Sequence, residues 1–422
     1  QEQQALYLKT HDKQYLVRPV CLNDAKDLEP LAEKLREVAS YAGWLKPIGY
    51  NLGDEMSVTH YVSAYDYDFA PAALAAFRDW LKKSYGTLEA LNAEWETSFA
   101  SWDAVMPMTA LEVKDRANKA PWADHRAFMD DTFCGFFKWV RERLREKDPE
   151  AGVGLSGSQA AEAYGGYNWR NLAAALDFAQ TYTHQNTEIM HRSFGPNLPR
   201  APWHGYGVFN PNVRGAIWFR FCNSNYGGSY FSQNSLFNPD MTFSGTAKDM
   251  APIIHELRGG LATQLRGFPR AVDIGVHYSH ASIRAAFISG AAALFRENRN
   301  GWIQALQDLG FQCEFLATPE LEAGELLKRG YRAFVLPCSI ALSAREMEAL
   351  CAYVEKGGLV MADGWAGLMD EHCKPYAQRA ADGLFGVKRG AANLGAAQAE
   401  GRAVFSTDQG DCRLKGVAYD VS

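Results

Sequence analysis

The sequence has no pair of cysteines spaced as in a zinc knuckle or a dithiol redox motif, although it carries 8 cysteines in 422 residues. They are Cys21, Cys134, Cys222, Cys313, Cys338, Cys351, Cys373 and Cys412, most of them inside apolar runs, and they read as buried thiols of a reducing compartment. A cytoplasmic location is the expectation. A periplasmic or secreted one stays open, because the chain opens at Gln1, in structured-looking sequence and without a leader-like segment. No stretch approaches the roughly 18 uninterrupted apolar residues of a membrane span, which removes the membrane as a partner. Positive charge is in slight deficit, with Lys+Arg 43 against Asp+Glu 49 and a net charge of -6. No basic stripe stands ready to neutralise phosphates, so a nucleic-acid partner is excluded. What is present is apolar and aromatic: hydrophobic residues are 47% and aromatics 13%, enough core for two or three domains. Trp and Tyr crowd residues 41–230, where they serve either core packing or a site that stacks sugar faces.

Residues 1–262 read as strands alternating with helices. Strands are expected at 15–21, 47–52, 151–157, 177–183, 200–206 and 215–222, and helices at 24–40, 71–96, 122–147 and 246–260. This alternation argues for a parallel sheet covered by helices. A closed (β/α)8 TIM barrel has eight strands. Six are counted here, so the expectation is a barrel lacking its first two β/α units.

Residues 268–390 read as a separate doubly wound, flavodoxin-like α/β domain, with strands at 272–279, 313–316, 332–337 and 359–363. Ser343, with Glu346 three residues on, marks the start of a helix over 344–356 in the capping-box pattern, and Gly357-Gly358 ends it. No Gly-x-Gly-x-x-Gly follows the first of these strands, which argues against a dinucleotide. Residues 391–422 look like the start of a further, truncated β-rich domain.

The chemistry concentrates at Asp54-Glu55. This acid pair stands where a short apolar strand runs out, the place where a (β/α) barrel keeps its catalytic acids, and carbohydrate hydrolysis is the first reading. One carboxyl must donate a proton to the leaving oxygen, and a neighbouring Asp54 carboxylate would raise the pKa of Glu55 for that role. Tyr182, His184, Trp203, Tyr206 and Trp218 fall at or just beyond expected strand ends, where rings stack on sugar and polar tips bind hydroxyls. Arg18, at the end of the first expected strand, either binds substrate or pairs with an acid across the barrel mouth. Asp66 and Asp68 are further carboxylates near the acid pair.

From Phe77 to Val105 the order Phe-Arg-x-Trp-Leu-Lys-x-x-Tyr-Gly-x-Leu-x-x-Leu-Asn-x-x-Trp-x-Thr-x-Phe, then Trp-Asp-x-Val, resembles the glycoside hydrolase family 42 β-galactosidases. The resemblance spans about residues 15–390, and the second domain is similar to the one that family uses for trimerisation. It implies a retaining β-galactosidase-like glycosidase acting on β-linked galactosides or related glycans, a possible homotrimer, and no cofactor. Glu55 matches the acid/base position at the end of the fourth strand. Asp54 stands where the family has Asn, so Asn51 or Asp54 would take over the hydrogen bond to the sugar 2-hydroxyl. The family's nucleophile is a Glu at the end of the seventh strand. The matching stretch here, Arg200–Gly207, has no acid, and Glu188, in the loop after 182–186, is the candidate in its place. The family's zinc-binding cysteine cluster has no counterpart between Cys21 and Cys134, so no metal is expected. Two alternatives remain: a substrate-assisted, hexosaminidase-like mechanism through Asp54-Glu55, and a carbohydrate-binding pseudo-enzyme.

Overall fold

Two aspartates decide how the chain begins. The computed structural model describes residues 2–61, 63–182, 186–204, 213–223, 229–230, 236–267, 271–389, 402–407 and 410–415. Helix α1 (Glu2–Thr10) ends at His11, whose φ of 58 is left-handed. Asp12 then caps a 3-10 turn, Lys13–Leu16, by accepting the Gln14 amide at 2.9 Å. The strand expected over 15–21 therefore does not form. Side-chain carboxylates take backbone donors that a sheet would need, the Arg18 amide going to Asp68 at 3.1 Å and the Cys21 amide to Asp27 at 2.8 Å, and Pro19 has none to offer. Asp24 caps α2 (Ala25–Ala42), which buries Leu28, Ala32, Leu35 and Ala39 at helical spacing.

The alternation then follows. The described elements are β1 (Tyr50–Asp54), α3 (Pro71–Tyr85), α4 (Leu88–Trp95), α5 (Ala120–Arg145), β2 (Val153–Ser158), α6 (Trp169–Ala175), β3 (Phe178–Thr181), α7 (Thr187–Phe194), β4 (Trp203–His204), α8 (Val213–Asn223) and β5 (Ser229–Tyr230). The helix expected over 71–96 breaks at Gly86, with φ 74, and Thr87 caps its second half. Strands β1, β2 and β3 pair in that order, all parallel. Arg200 bridges Ala179 in the same sense, with the Ala201 amide donating to Ala179 O at 3.1 Å, and β4 pairs β5 in parallel. Among the described residues five extended segments thus run side by side in chain order; four answer to the strands expected at 47–52, 151–157, 177–183 and 200–206, and β5 lies where none was expected. Residues 215–222, expected as a strand, form α8 instead. Ile217 and Phe221, four apart and both buried, share one helical face. Helix α9 (Gly245–Glu256), a π turn at Leu257–Leu261 and α10 (Ala262–Gly267) complete this half.

The second half forms as its sequence pattern indicates. It contains β6 (Ile274–Tyr278), α11 (His280–Ile288), α12 (Ala292–Asp308), β7 (Cys313–Ala317), α13 (Thr318–Glu322), α14 (Leu326–Arg329), β8 (Ala333–Leu336), α15 (Ala344–Glu355), β9 (Leu359–Ala362) and α16 (Asp382–Phe385). The sheet order is β7-β6-β8-β9, all parallel. The Ser343–Glu346 capping box is present, with reciprocal bonds of 3.1 and 2.7 Å. Strands β10 (Arg402–Thr407) and β11 (Gly410–Lys415) form an antiparallel hairpin.

One buried cluster runs through both halves, from Phe77, Trp95, Phe137, Val153 and Leu155 to Ile274, Val276, Ile303 and Val335. Each such side chain contributes about 1.5–3 kcal/mol on burial. Charged contacts seal the junction. Asp130 of α5 meets Arg284 at 2.8 Å and His280 at 3.2 Å, and Asp124 of the same helix meets His372 at 2.6 Å. Among the described residues no helix is long and apolar enough to cross a membrane.

Candidate active site

Glu55 is the first residue beyond β1, and its backbone turns left-handed there, with φ 52. Non-glycine residues seldom adopt that conformation, and where they do it is often at a functional site. The turn is held from β2, because the Glu55 amide donates to Ser156 O at 3.0 Å. It is also shaped by Gly157, with φ 60, where an added Cβ would lie 2.8 Å from Glu55 Cγ. The loop after Glu55 is then pinned to the loop after β2: Tyr167 donates its hydroxyl to Met56 O, and the Val58 amide donates to Gly165 O at 3.0 Å. At the end of β3 the Tyr182 hydroxyl donates to Glu55 Oε1 at 2.7 Å. The carboxyl end of three adjacent parallel strands thus converges on one half-buried carboxylate, the edge where barrel proteins place their chemistry.

Below this carboxylate a polar row crosses the sheet. Asn51 Nδ2 donates to Ser156 Oγ at 2.7 Å, and Ser156 Oγ donates to Gln180 Oε1. Asn51, expected to contact substrate, lies in β1 with its amide nitrogen engaged by Ser156 of β2. Asp54 sits exposed beside Glu55. Burial and the Glu55 charge push the Asp54 carboxyl up.

Other expected residues fall elsewhere. Arg18 is on no strand; its amide donates to Asp68 Oδ1 at 3.1 Å, and burial lowers its pKa against the opposing pull of Asp68. Asp68 also accepts the Ala70 amide at 2.8 Å. Asp66 is buried and accepts from Trp122 at 3.0 Å, Tyr164 at 2.9 Å and the Ala110 amide at 3.0 Å. These two carboxylates hold the segment that follows Glu55. Glu188 lies in the first turn of α7, 7% exposed, rather than in a loop. Its neighbour Thr187 donates to Tyr182 O at 2.8 Å, so the start of α7 is tied to the end of β3. Trp218 lies on α8, not on a strand. It is half-buried against the cluster of Ile217, Met250 and Ile253, with Nε1 3.4 Å from Glu256 Oε2. That puts it in the helical layer and removes it from the strand ends. Trp203 is in β4, but its side chain, like all of His184 and Tyr206, lies outside the described residues.

Sequence reasoning missed Ser156 and Gln180. Their only signal was a polar side chain in an otherwise apolar strand. Among the described residues no three His, Cys, Asp or Glu side chains gather as a metal site.

Parallel strands in chain order, helices between them and a carboxylate at the strand ends define an α/β protein of the barrel kind. Residues 23–197 match the family model of glycoside hydrolase family 42, described as Beta-galactosidase, and over that segment the chain is family-42-like. It is 21% identical over 339 residues to beta-galactosidase LacZ of Heyndrickxia coagulans, covering 71% of this chain and 49% of that protein. It is 32% identical over 90 residues to beta-galactosidase bgaB of Geobacillus kaustophilus, covering 20% of this chain and 13% of that one. Among solved structures it resembles Gan42B, a GH42 beta-galactosidase from G. stearothermophilus, with TM-score 0.74, 16% identity, and coverage of 95% of this chain and 64% of that one. It also resembles the exo-carrageenase GH42 from Bacteroides ovatus, with TM-score 0.63, 13% identity, and coverage of 96% and 65%. The chain spans about half the length of the first of these relatives.

Proposed function

We propose that this chain is a glycoside hydrolase acting on β-linked galactosides or related glycans, with Glu55 as its acid/base. The observation that carries the reading is the Glu55 carboxyl at the β1 end, bonded by Tyr182 at 2.7 Å. In the protonated form Glu55 gives its proton to the leaving glycosidic oxygen. As a carboxylate it then takes a proton from the water that completes hydrolysis. In a retaining mechanism a second carboxylate, about 5–5.5 Å away, attacks the anomeric carbon. Glu188 is our candidate for it, supported by its place beside the Thr187–Tyr182 bond at the same sheet end. Asn51 and Asp54 border the substrate in this reading, and His184, Trp203 and Tyr206 contact it. In this reading residues 1–262 are barrel, 268–390 an accessory α/β domain that assembles trimers, and 391–422 the start of a β-rich domain. On this reading β1 to β5 are five of a barrel's eight strands.

Hydrolysis of an aryl β-galactoside by the full chain, compared with Glu55→Gln, tests the reading. Azide rescue of Glu188→Gly tests the nucleophile. A second reading, a carbohydrate-binding barrel without turnover, is favoured by the lack of an acid in Arg200–Gly207 and the burial of Glu188. Galactoside binding with no hydrolysis, unchanged by either substitution, would support it.

A further inference from the structure

Helices α2, α3 and α5 do not close on one another. They leave a cleft of about 420 Å³ in the helical layer, within the span of about 300–1,000 Å³ found for small-molecule sites. Trp80 and Trp139, both half-buried, stand in it, with Phe128 and Phe136 buried behind them. Their orientation is set by packing. Trp139 lies nearly parallel to Phe136 at 6.0 Å, and Trp80 meets Phe128 edge to face at 6.5 Å. Gly135 keeps the middle of α5 open, since a Cβ there would meet nothing within 4 Å.

The polar groups are as telling as the rings. Asp131 faces solvent from the cleft and accepts Trp80 Nε1 at 2.9 Å and Asn171 Nδ2 at 3.1 Å. Each carboxylate oxygen keeps a lone pair for a ligand. Asn23 Nδ2 and Thr132 Oγ1 are buried without a hydrogen-bond partner, and both residues line the cleft. Thr132 is only 9% exposed. Unsatisfied buried donors and acceptors are costly and ask for a partner. A hydrocarbon or apolar peptide would leave them unpaired, and an anion would meet the Asp131 carboxylate, with Lys83 as the one cation among the described residues lining the cleft and Asp79 already paired to Lys82 at 2.9 Å. A pyranose answers both demands: its C–H face lies on an indole, and its hydroxyls donate to Asp131 and accept from Asn23.

We propose that this cleft is a second carbohydrate site, separate from Glu55, that holds one or two pyranose units of a neutral oligosaccharide through Trp80, Trp139, Asp131 and Asn23. It would anchor a glycan chain on the helical face of the molecule.

The test is calorimetric titration of the full chain carrying Glu55→Gln with β-1,4-galactobiose, with and without Gly135→Phe. The open space at Gly135 takes the added ring without disturbing the fold, which circular dichroism and the melting midpoint check. The number of sugars bound per chain should fall by one, with the affinity of that site weakened at least about tenfold. This drop is read whether or not the Glu55 site binds, so failure of one site does not hide the other. Asp131→Asn should weaken the same site. An unchanged count and affinity in Gly135→Phe would overturn the proposal. So would a parent chain that binds no galactobiose, or a Gly135→Phe effect confined to self-association in sedimentation.

Discussion

The Tyr182 hydroxyl donates to Glu55 Oε1 across 2.7 Å, joining the end of β3 to the residue just past β1. The bond fixes the side chain of the proposed proton donor at the rim of the sheet. Hydrogen bonds to a charged group are worth about 1.5–3 kcal/mol. Tyr182→Phe should therefore lower kcat for aryl β-galactosides by about 10–100-fold, with little change in the melting midpoint. Unaltered kcat would remove Tyr182 from the machinery.

The His372–Asp124 contact gives a pH dependence of known sign. Burial disfavours the charged ring, but Asp124, with Glu371 and Asp370, outweighs it and raises the His372 pKa to about 9. A raised folded-state pKa stabilises the fold fully below the ordinary value of 6.5, and that stability is lost as pH climbs through about 9. His372→Gln should cost about 1–2 kcal/mol at mildly acidic pH, allowing for partial solvent screening. The cost should shrink toward zero at strongly alkaline pH. Chemical denaturation across that range checks it, and a pH-independent difference would count against the ion pair.

Two glycines should respond in opposite ways to alanine. At Gly154, in buried β2, a Cβ would come 2.5 Å from both the ring and the carbonyl oxygen of Phe178. Gly154→Ala should destabilise the chain by about 1–3 kcal/mol, as overpacked cores do. Gly135→Ala meets nothing within 4 Å on α5 and should stabilise it by about 0.5–1 kcal/mol. Melting midpoints moving in the same direction would contradict this description of the sheet packing.

The elements legible in the sequence were those specified locally. Ser343 and Glu346 announce α15 because both partners of the cap lie within one turn. The strands β6 to β9 are short apolar runs bounded by turn residues, and all four form. The position of Glu55 at a strand end was legible because it follows such a run closely. The failures share the opposite property. Residues 15–21 look like a strand until the Asp68 and Asp27 carboxylates claim the Arg18 and Cys21 amides. Residues 215–222 are apolar enough for either period, and packing of Ile217 against Met250 and Ile253 accompanies the helix. The link from His372 to Asp124 spans 248 residues, beyond any local pattern. Ser156 and Gln180 gain meaning only once β1, β2 and β3 lie side by side.

Glu55→Gln, assayed on two β-galactosides of unlike leaving groups, tests the central claim most directly. General acid catalysis contributes about 10²–10⁴-fold when the departing oxygen needs a proton. The expected result is a loss of that order on lactose and a far smaller loss in the first, bond-breaking step with a dinitrophenyl galactoside, whose leaving group departs unaided. Equal losses on both substrates, or none on either, would contradict the assignment of Glu55 as proton donor.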